Sequence, residues 1–218
     1  MSALTKVKIC GLRSAAAAEV AALAGADFLG FVFVEGVRRQ LQASEGAAII
    51  NQYRASIENL EVKPAVVGLF RDQGLSWVNS LSEQVGLDYL QLNGEEDDTY
   101  MRSVNRRVIR QVRVRPETTR TELSAEVERH LGAGRIVLLD KYDAKVPGGG
   151  GVSFDWKVAE GIANREGVLL AGGLNPENVK DAITLLQPWG VDISSGVETN
   201  GVKDHDKIRA FIKAAREA

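Results

Sequence analysis

The feature that most constrains the fold is a regular alternation of short apolar segments with longer helical segments, which occurs eight times in 218 residues. Strands that are separated by helices pair in parallel through right-handed crossovers. Eight such units in roughly 200 residues have the size of a (β/α)8 barrel. The sequence therefore predicts an α/β protein, a (β/α)8 TIM barrel whose single domain covers residues 1–218. A doubly wound open sheet is the structural alternative.

The predicted elements follow from hydrophobic periodicity and from capping residues. Ser14 and Ser44 are suited to cap the N-termini of two helices, and Gly25 is suited to close the first of them. The predicted strands are 7–10, 28–34, 64–70, 89–93, 108–114, 135–140, 168–171 and 191–194. The predicted helices are 14–23, 44–56, 75–84, 95–103, 119–131, 154–164, 176–186 and 204–216.

Composition and charge argue against several classes of protein. A formal charge of -2 and a pI near 5.8 do not favour a nucleic-acid or membrane-surface binder, because neither polyanion would be attracted on average. No signal segment and no run near the roughly 18 apolar residues of a membrane span is found, so we expect a cytoplasmic location. The single cysteine rules out an internal disulfide framework, and the two histidines lack metal-ligand spacing, so no metal is expected.

The segment Lys8-Ile9-Cys10-Gly11 places the only cysteine at the end of the first predicted strand. Side chains alternate along a strand, so Lys8 and Cys10 share one face. A free thiol has a pKa of roughly 8.5, and a neighbouring cation stabilises its thiolate. Two interpretations are open, a reactive thiol beside an ammonium group or a small buried hydrophobic residue.

Polar side chains recur at or near the ends of the predicted strands that lead into helices. In a barrel these ends form the active face. Because the first and eighth strands are neighbours in a closed barrel, we expect Lys8 to pair with Asp192. Such a pair would either compensate a buried charge or tune the site, and both interpretations are open. The polar strand residues are Lys8, Cys10, Gln91, Asn93, Asp140, Asp192 and Ser194.

Three glycine-rich loops in the second half of the chain predict a phosphate site. Backbone N–H groups can approach an anion closely where no Cβ obstructs them. Two of the loops follow the seventh and eighth predicted strands, where barrels commonly bind phosphate. No Walker sequence or dinucleotide fingerprint is present, so the expected ligand is a sugar phosphate rather than a nucleotide. The loops contain Gly148 to Gly151, Gly172 with Gly173, and Ser195 with Gly196.

Seven blocks of sequence, in order along the chain, together resemble the phosphoribosylanthranilate isomerase family. They are Lys8 to Leu12, Gly30 to Phe33, Gln91 to Glu95, Leu138 to Lys141, Gly148 to Trp156, Gly172 to Val179 and Val191 to Glu198. The resemblance implies a (β/α)8 barrel that works in tryptophan biosynthesis on a phosphorylated sugar-anthranilate substrate. It also implies that the enzyme needs no cofactor.

The reaction implied by the resemblance is an Amadori rearrangement of N-(5-phosphoribosyl)anthranilate, an aminoaldose, into the corresponding aminoketose. An acid protonates the furanose ring oxygen, and a base removes the proton from C2 of the sugar. Asp140 matches the acid of the family and Cys10 matches its base. The apolar neighbours of Asp140 are expected to raise its pKa by desolvation, and Lys8 is the candidate to keep Cys10 partly ionised.

The resemblance also implies a set of substrate-binding residues. Arg39 occupies the position of an arginine that contacts substrate, and its planar cation suits the anthranilate carboxylate. Arg38 is adjacent, so an ambiguity of one residue is open. Gln91 either orients the substrate or completes a polar layer. The other substrate-binding residues implied are Lys8, Gly149, Gly151, Gly172, Gly173, Asp192, Ser195 and Gly196.

Four features depart from the family pattern, one of which is the absence of the usual serine from the loop around Val37. Asn93 stands where a histidine is expected, Gly150 where a threonine or serine is usual, and Val152 where a basic residue is usual. We expect these changes to weaken affinity without removing activity. Two alternatives are another sugar-phosphate barrel enzyme and a barrel that binds a phosphorylated ligand without catalysis. The chain is expected to be a monomer or a homodimer.

Overall fold

The computed structural model describes residues 4–141 and 156–218 and shows a closed barrel. Eight parallel strands follow one another around it in chain order, and the first pairs with the last. This topology confirms the predicted (β/α)8 barrel and excludes the open-sheet alternative. The strands are β1 (Lys6–Ile9), β2 (Phe28–Val32), β3 (Ala65–Phe70), β4 (Tyr89–Leu92), β5 (Arg107–Val114), β6 (Ile136–Lys141), β7 (Val168–Leu170) and β8 (Gly190–Ile193).

The α-helices in the described part of the chain lie in the intervals that periodicity predicted, with differences at their ends. Ser14 caps the first helix, since its side chain accepts a hydrogen bond from the backbone N–H of Ala17. Gln42 rather than Ser44 caps the second, within a capping box formed with Glu45. The helices are α1 (Ala15–Leu23), α2 (Ala43–Ser56), α3 (Leu75–Val85), α4 (Asp98–Ser103), α5 (Arg120–Gly132), α6 (Val179–Leu186) and α7 (His205–Arg216).

One predicted helix was wrong over the residues that are described. For the interval 154–164, the structure has a 3-10 helix at Trp156–Ala159 followed by turns, and residues 154 and 155 lie outside the described residues. Gly161 adopts a left-handed conformation with φ of 73°. A left-handed residue ends a right-handed helix, so an α-helix does not continue through this position.

A hairpin that the sequence analysis missed follows β8. Its strands are β9 (Glu198–Thr199) and β10 (Val202–Lys203), which pair in antiparallel orientation. The two linking residues, Asn200 and Gly201, both have positive φ, at 51° and 79°. Asn-Gly is the favoured sequence for such a two-residue turn, so a local signal was present in the sequence.

The strand side chains divide between two apolar regions. Residues that face outward pack against the helices, and residues of the other parity fill the barrel. The side chain of Lys8 points into the barrel and is fully buried, so its ammonium group lies in the interior. The apolar interior therefore ends in polar side chains near the carboxyl ends of the strands. The interior apolar residues are Phe28, Val32, Val67, Leu69, Ile109, Ile136, Leu138 and Leu169, with Cys10 beside them.

Leu169 and Leu185 provide a matched test of the barrel core, because Leu169 is fully buried inside the barrel and Leu185 is 55% exposed on α6. We expect Leu169→Ala to lower the free energy of unfolding by about 2–5 kcal/mol, because it leaves a cavity in a packed interior. Leu185→Ala should change it by less than about 0.5 kcal/mol. Urea unfolding of both variants measures the difference, and equal losses would contradict the assignment of the interior.

Candidate active site

A cleft of about 870 Å³ opens at the carboxyl ends of the barrel strands. Its walls come from residues at the ends of several strands and from the loops that follow them, as is usual in barrel enzymes. Lys8 lies behind this wall, and Gly149 and Gly151 lie outside the described residues. The structure brings the other predicted site residues together here, namely Cys10, Arg39, Gln91, Asp140, Gly172, Gly173, Asp192, Ser195 and Gly196.

Cys10 follows β1 directly and is 5% exposed. A Cβ at Gly30, on the neighbouring strand β2, would lie 3.0 Å from Cys10 Sγ and 3.2 Å from Lys8 Nζ. The thiol and the ammonium therefore approach the same point, which only glycine leaves free. This arrangement confirms that Lys8 and Cys10 share one face of β1.

Lys8 forms a buried ion pair with Asp192 across the β1–β8 seam. Lys8 Nζ donates a hydrogen bond to Asp192 Oδ1 at 2.7 Å, and the two residues are partners in the strand register. Burial by itself would lower the pKa of Lys8, but the Asp192 carboxylate and Cys10 outweigh it, so the pKa lies above its ordinary value. The predicted pairing is confirmed, and Lys8 stays charged.

The environment of Cys10 contains opposing influences. Burial raises the pKa of the Cys10 thiol above its ordinary value, and the Asp192 carboxylate adds to this rise. The ammonium groups of Lys8 and Lys203 act in the opposite direction. Lys8 acts on the pKa of the thiol in the direction expected from the sequence. Its effect does not prevail, because desolvation of the thiol outweighs the cation.

Asp140 is in β6, and its carboxyl group is held by a hydrogen bond that the sequence analysis did not anticipate. Gln111 Nε2, on β5, donates to Asp140 Oδ2 at 2.7 Å. Desolvation, with a smaller contribution from Asp192, raises the pKa of Asp140 to about 6, although the Gln111 hydrogen bond opposes the rise. The predicted elevation of the pKa is present, so a fraction of the carboxyl group is protonated near neutrality.

Arg39 crosses the end of β1 and is fixed at its far end by Glu198. A Cβ at Gly11 would overlap Arg39 Cδ, so the stem of the arginine lies directly against this glycine. Arg39 Nε and Nη2 donate to Glu198 Oε1 and Oε2 at 2.7 and 3.0 Å. Arg38 also donates to Glu198, but its side chain is 56% exposed, against 15% for Arg39. Arg39 is therefore the more enclosed of the two candidates.

The loops after β7 and β8 pack against each other. Gly172 and Gly173 have left-handed backbones, with φ of 88° and 73°. A Cβ at Gly196 would overlap the carbonyl oxygen of Leu174, so glycine is required where the two loops touch. Asn178 Nδ2 donates to the carbonyl of Gly173 at 2.9 Å and fixes the first loop. These loops form one small-residue wall of the cleft, as the glycine pattern predicted.

Gln91 contributes an acceptor that has no partner in the described structure. The residue is 2% exposed, and its Nε2 donates to Asn93 Oδ1 at 3.0 Å. Its Oε1 is buried without a hydrogen bond. A buried acceptor is costly unless a donor meets it, so a ligand hydroxyl or N–H group in the cleft would relieve that cost.

Several charged or polar residues of the cleft and its wall were not predicted as functional. Gln111 is a polar residue of inward parity within β5, a signal that the sequence analysis overlooked. Glu198 lay within a recognised block but received no role. Lys203 gave no local signal, because only the hairpin brings it to Glu198 and Ser194. The cleft is also lined by the cations Arg71, Arg113 and Lys141.

The closed barrel, the carboxyl and thiol groups in one cleft and the glycine-rich loops after β7 and β8 define a barrel enzyme of the sugar-phosphate-converting type. A family model described as N-(5'-phosphoribosyl)anthranilate (PRA) isomerase matches residues 7–214. The chain belongs to this family, and it is an isomerase of tryptophan biosynthesis.

Individual relatives agree with the family match over the whole chain. The N-(5'-phosphoribosyl)anthranilate isomerase of Roseiflexus castenholzii is 42% identical over 215 residues, which cover 97% of this chain and 98% of the relative. The crystal structure of the isomerase from Thermotoga maritima has a TM-score of 0.82 at 31% identity and covers 99% of this chain and 100% of that one. Another solved isomerase, in complex with reduced 1-(o-carboxyphenylamino)-1-deoxyribulose 5-phosphate, has a TM-score of 0.79 at 30% identity, with the same coverage.

Within residues 4–141 and 156–218, no group of three or more histidine, cysteine, aspartate or glutamate side chains is arranged to hold a metal ion. In the same ranges, no helix has the length and apolar character needed to cross a membrane.

The raised pKa of Asp140 predicts a measurable stability effect. Its folded-state value is about 6, above the ordinary value of 3.8, so the carboxyl contributes stability at low pH that is lost as the pH rises through about 6. Asp140→Asn cannot ionise, so it should be more stable than the wild type by up to about 3 kcal/mol near pH 8, because the two pKa values differ by about 2 and each pKa unit is worth about 1.4 kcal/mol. Denaturant unfolding at about pH 8 and pH 4.5 tests this, and a difference that does not grow with pH would refute the raised pKa.

Proposed function

We propose that Asp140 is the general acid and Cys10 the general base of the isomerisation. The protonated Asp140 carboxyl gives its proton to the furanose ring oxygen, and the bond from that oxygen to C1 breaks as the nitrogen lone pair forms a Schiff base. The Cys10 thiolate then takes the proton from C2, and the electron pair neutralises the nitrogen to give an enolamine. Tautomerisation yields the aminoketose, and exchange with water restores both groups.

The assignment of the acid is supported by the surroundings of Asp140. An ordinary aspartate would be almost fully ionised at neutral pH, whereas a carboxyl with a pKa of about 6 retains a useful protonated fraction. Gln111 holds one carboxyl oxygen at 2.7 Å and so fixes the direction of the group. A restrained acid with a pKa near the working pH is suited to proton donation.

The assignment of the base is supported by the charges behind Cys10. Lys8 and Lys203 both favour the thiolate, against the effects of burial and of Asp192. Full burial of Lys8, and its 2.7 Å contact with Asp192, favour a tuning role for this pair over direct substrate contact. Asp192 also lines the cleft, so a contact with the sugar remains part of the proposal.

For substrate binding, we assign the phosphate to the loops after β7 and β8 and the anthranilate carboxylate to Arg39. The loops contribute Gly172, Gly173, Ser195 and Gly196, whose small side chains favour backbone contact with an anion. The unpaired Gln91 Oε1 is suited to accept a hydrogen bond from a sugar hydroxyl or from the anilino N–H. The solved relative that holds a reduced carboxyphenylamino-deoxyribulose phosphate supports a small phosphorylated substrate.

Some expectations from the sequence stay predictions. They are the phosphate contacts of Gly149 and Gly151, the absence of a cofactor and of nucleic-acid and membrane partners, the monomeric or homodimeric state and the cytoplasmic location. The effects of Asn93, Gly150 and Val152 on affinity also stay predictions. Asn93 retains a hydrogen bond with Gln91, so it can order that side chain without a titratable ring.

The single observation that carries the proposal is that Cys10, at the end of β1, and Asp140, on β6, both line one cleft although their strands lie three apart around the barrel. We expect Cys10→Ala and Asp140→Asn each to reduce kcat by about 100-fold or more, since each removes one proton-transfer group. The measurement is the loss of fluorescence of freshly formed phosphoribosylanthranilate, with product identified by mass spectrometry. Full activity in either folded variant would disprove the role of that residue, while activity absent from the wild type would disprove the reaction.

The choice between Arg38 and Arg39 is tested by the same substitution at both positions. Arg39→Met should raise KM roughly 10- to 100-fold, because a hydrogen-bonded charge contact with the substrate is worth about 1.5–3 kcal/mol. Arg38→Met should raise KM less than about threefold, since its guanidinium is mostly exposed to solvent. Steady-state kinetics on both variants decide the question, and the reverse order of effects would transfer the contact to Arg38.

A further inference from the structure

The β9–β10 hairpin carries a buried ion pair at the edge of the cleft. Glu198 and Lys203 are register partners, and Lys203 Nζ lies 3.0 Å from Glu198 Oε1. Both side chains are only 5% exposed. Two charged groups at this depth are costly to desolvate, so their retention needs a reason beyond mutual attraction.

Glu198 is shared by three cations. Besides Lys203, it accepts two hydrogen bonds from Arg39 and one from Arg38. Burial would raise the pKa of Glu198, but Arg39 and Lys203 lower it to about 2, so the carboxylate is ionised throughout the working range. One negative charge is thus set against three positive charges, and the cluster carries an excess of positive charge.

Lys203 connects this cluster to the backbone of the proposed base. Its ammonium donates to the carbonyl oxygen of Ser194 at 2.6 Å. The Ser194 hydroxyl in turn donates to the carbonyl oxygen of Cys10 at 3.2 Å. Ser194 follows β8, and β8 pairs with β1, so the hairpin is tied to the end of the strand that presents Cys10.

The charge of Lys8 is balanced differently from that of Lys203. Lys8 is paired one to one with Asp192, and the two members act on the Cys10 thiol in opposite directions. Lys203 shares its carboxylate with Arg39 and Arg38. The positive excess close to Cys10 therefore belongs to the hairpin cluster rather than to the Lys8–Asp192 pair.

We propose that Glu198 and Lys203 are positioning residues: Glu198 aims the guanidinium of Arg39 at the substrate anion, and Lys203 stabilises the thiolate of Cys10. The bidentate contact uses Nε and Nη2 of Arg39 and leaves Nη1 available for a ligand. The inference rests on the proposed roles of Cys10 and Arg39, and it adds two residues that act through them.

A purely structural role for the hairpin is the alternative. Lys207 Nζ donates to the backbone carbonyl of Glu198 at 3.0 Å, and Thr199 donates to Asp204, the residue that caps α7. These contacts anchor the last helix to the hairpin. If anchoring were the whole role of Glu198 and Lys203, substitutions there would lower stability without changing the ionisation of Cys10.

The ionisation of Cys10 can be followed directly because it is the only cysteine in the chain. The charged groups that act on it are Lys8 from its own strand, Asp192 from β8 and Lys203 from the hairpin. Arg39 lies over the adjacent Gly11, and Asp140 faces the same cleft from β6. Lys203 and its partner Glu198 can be changed without replacing a proposed acid, base or substrate-contacting residue, although Glu198 also holds Arg39 in place.

The first test is the pH dependence of iodoacetamide alkylation of Cys10, read by intact-protein mass spectrometry. Lys203→Met should raise the apparent pKa of the thiol and slow alkylation at neutral pH by about tenfold, since a tenfold change in thiolate fraction corresponds to one pKa unit. Lys203→Arg should restore most of the rate. Lys207→Met is the control for hairpin packing, and its profile should match the wild type.

The second test uses the partner of the same ion pair. Glu198→Gln removes the negative charge but keeps the shape, so Lys203 is left uncompensated and alkylation should become faster than in the wild type. The same change releases Arg39, so KM should rise about tenfold while kcat changes less than about threefold. If Glu198 and Lys203 had only a structural role, both substitutions would change the alkylation rate in the same direction. The proposal requires the rate to fall in Lys203→Met and to rise in Glu198→Gln.

These outcomes separate this inference from the proposed catalytic roles. Alkylation needs no substrate, so profiles for Lys203→Met and Glu198→Gln that overlap the wild type would overturn the charge coupling even in an active enzyme. An unchanged KM in Glu198→Gln would overturn the positioning of Arg39. If Cys10→Ala kept its isomerase activity while the alkylation shifts appeared, the base assignment would fail and the coupling would stand.

Discussion

The closure of the barrel at the seam between β1 and β8 is the constraint on which the site depends. The seam brings Lys8 and Asp192, 184 residues apart in sequence, to 2.7 Å inside the protein. Neither charge would be tolerable alone at this depth, and loss of one partner from a buried pair typically costs about 3–5 kcal/mol. The pair therefore fixes the register in which Cys10 meets the end of β8, and the loop and hairpin that follow β8 are placed relative to the thiol.

The proposed acid and the proposed base differ in how their surroundings set their ionisation. Asp140 is desolvated, and this effect outweighs the hydrogen bonds from Gln111 and from the backbone N–H of Lys141, so its pKa rises to about 6 and the protonated form persists near neutrality. Cys10 is desolvated as well, but cations act on it from both its own strand and the hairpin. The surroundings of the cleft thus keep a fraction of Asp140 protonated, and the cations near Cys10 favour its thiolate. An acid–base isomerisation requires both.

The order of elements was predictable because each strand and helix has its own hydrophobic periodicity, which is set by the face that the element buries in the core of the barrel. The exceptions are local. The interval after residue 156 has helical composition, yet Gly161 adopts a left-handed backbone and ends the helix early. The Asn200-Gly201 turn had a recognisable signal that was overlooked. The proposed roles of Cys10, Asp140 and Arg39 came from the family pattern, whereas the composition of β5 alone did not indicate that Gln111 would hold Asp140.

The sequence by itself determined the barrel topology and the family, and it singled out the residues that are proposed to carry the chemistry, because these depend on local patterns and on motifs in fixed order. Tertiary structure alone decided the partners and the ionisation of those residues. Glu198 meets Arg39 from 159 positions away, and Lys203 acts on Cys10 because the hairpin packs against Ser194 at the end of β8, the strand that pairs with β1. Electrostatic interactions fall with distance in space and with solvent exposure rather than with separation along the chain. The charge balance at the thiol therefore became visible only when the barrel was closed.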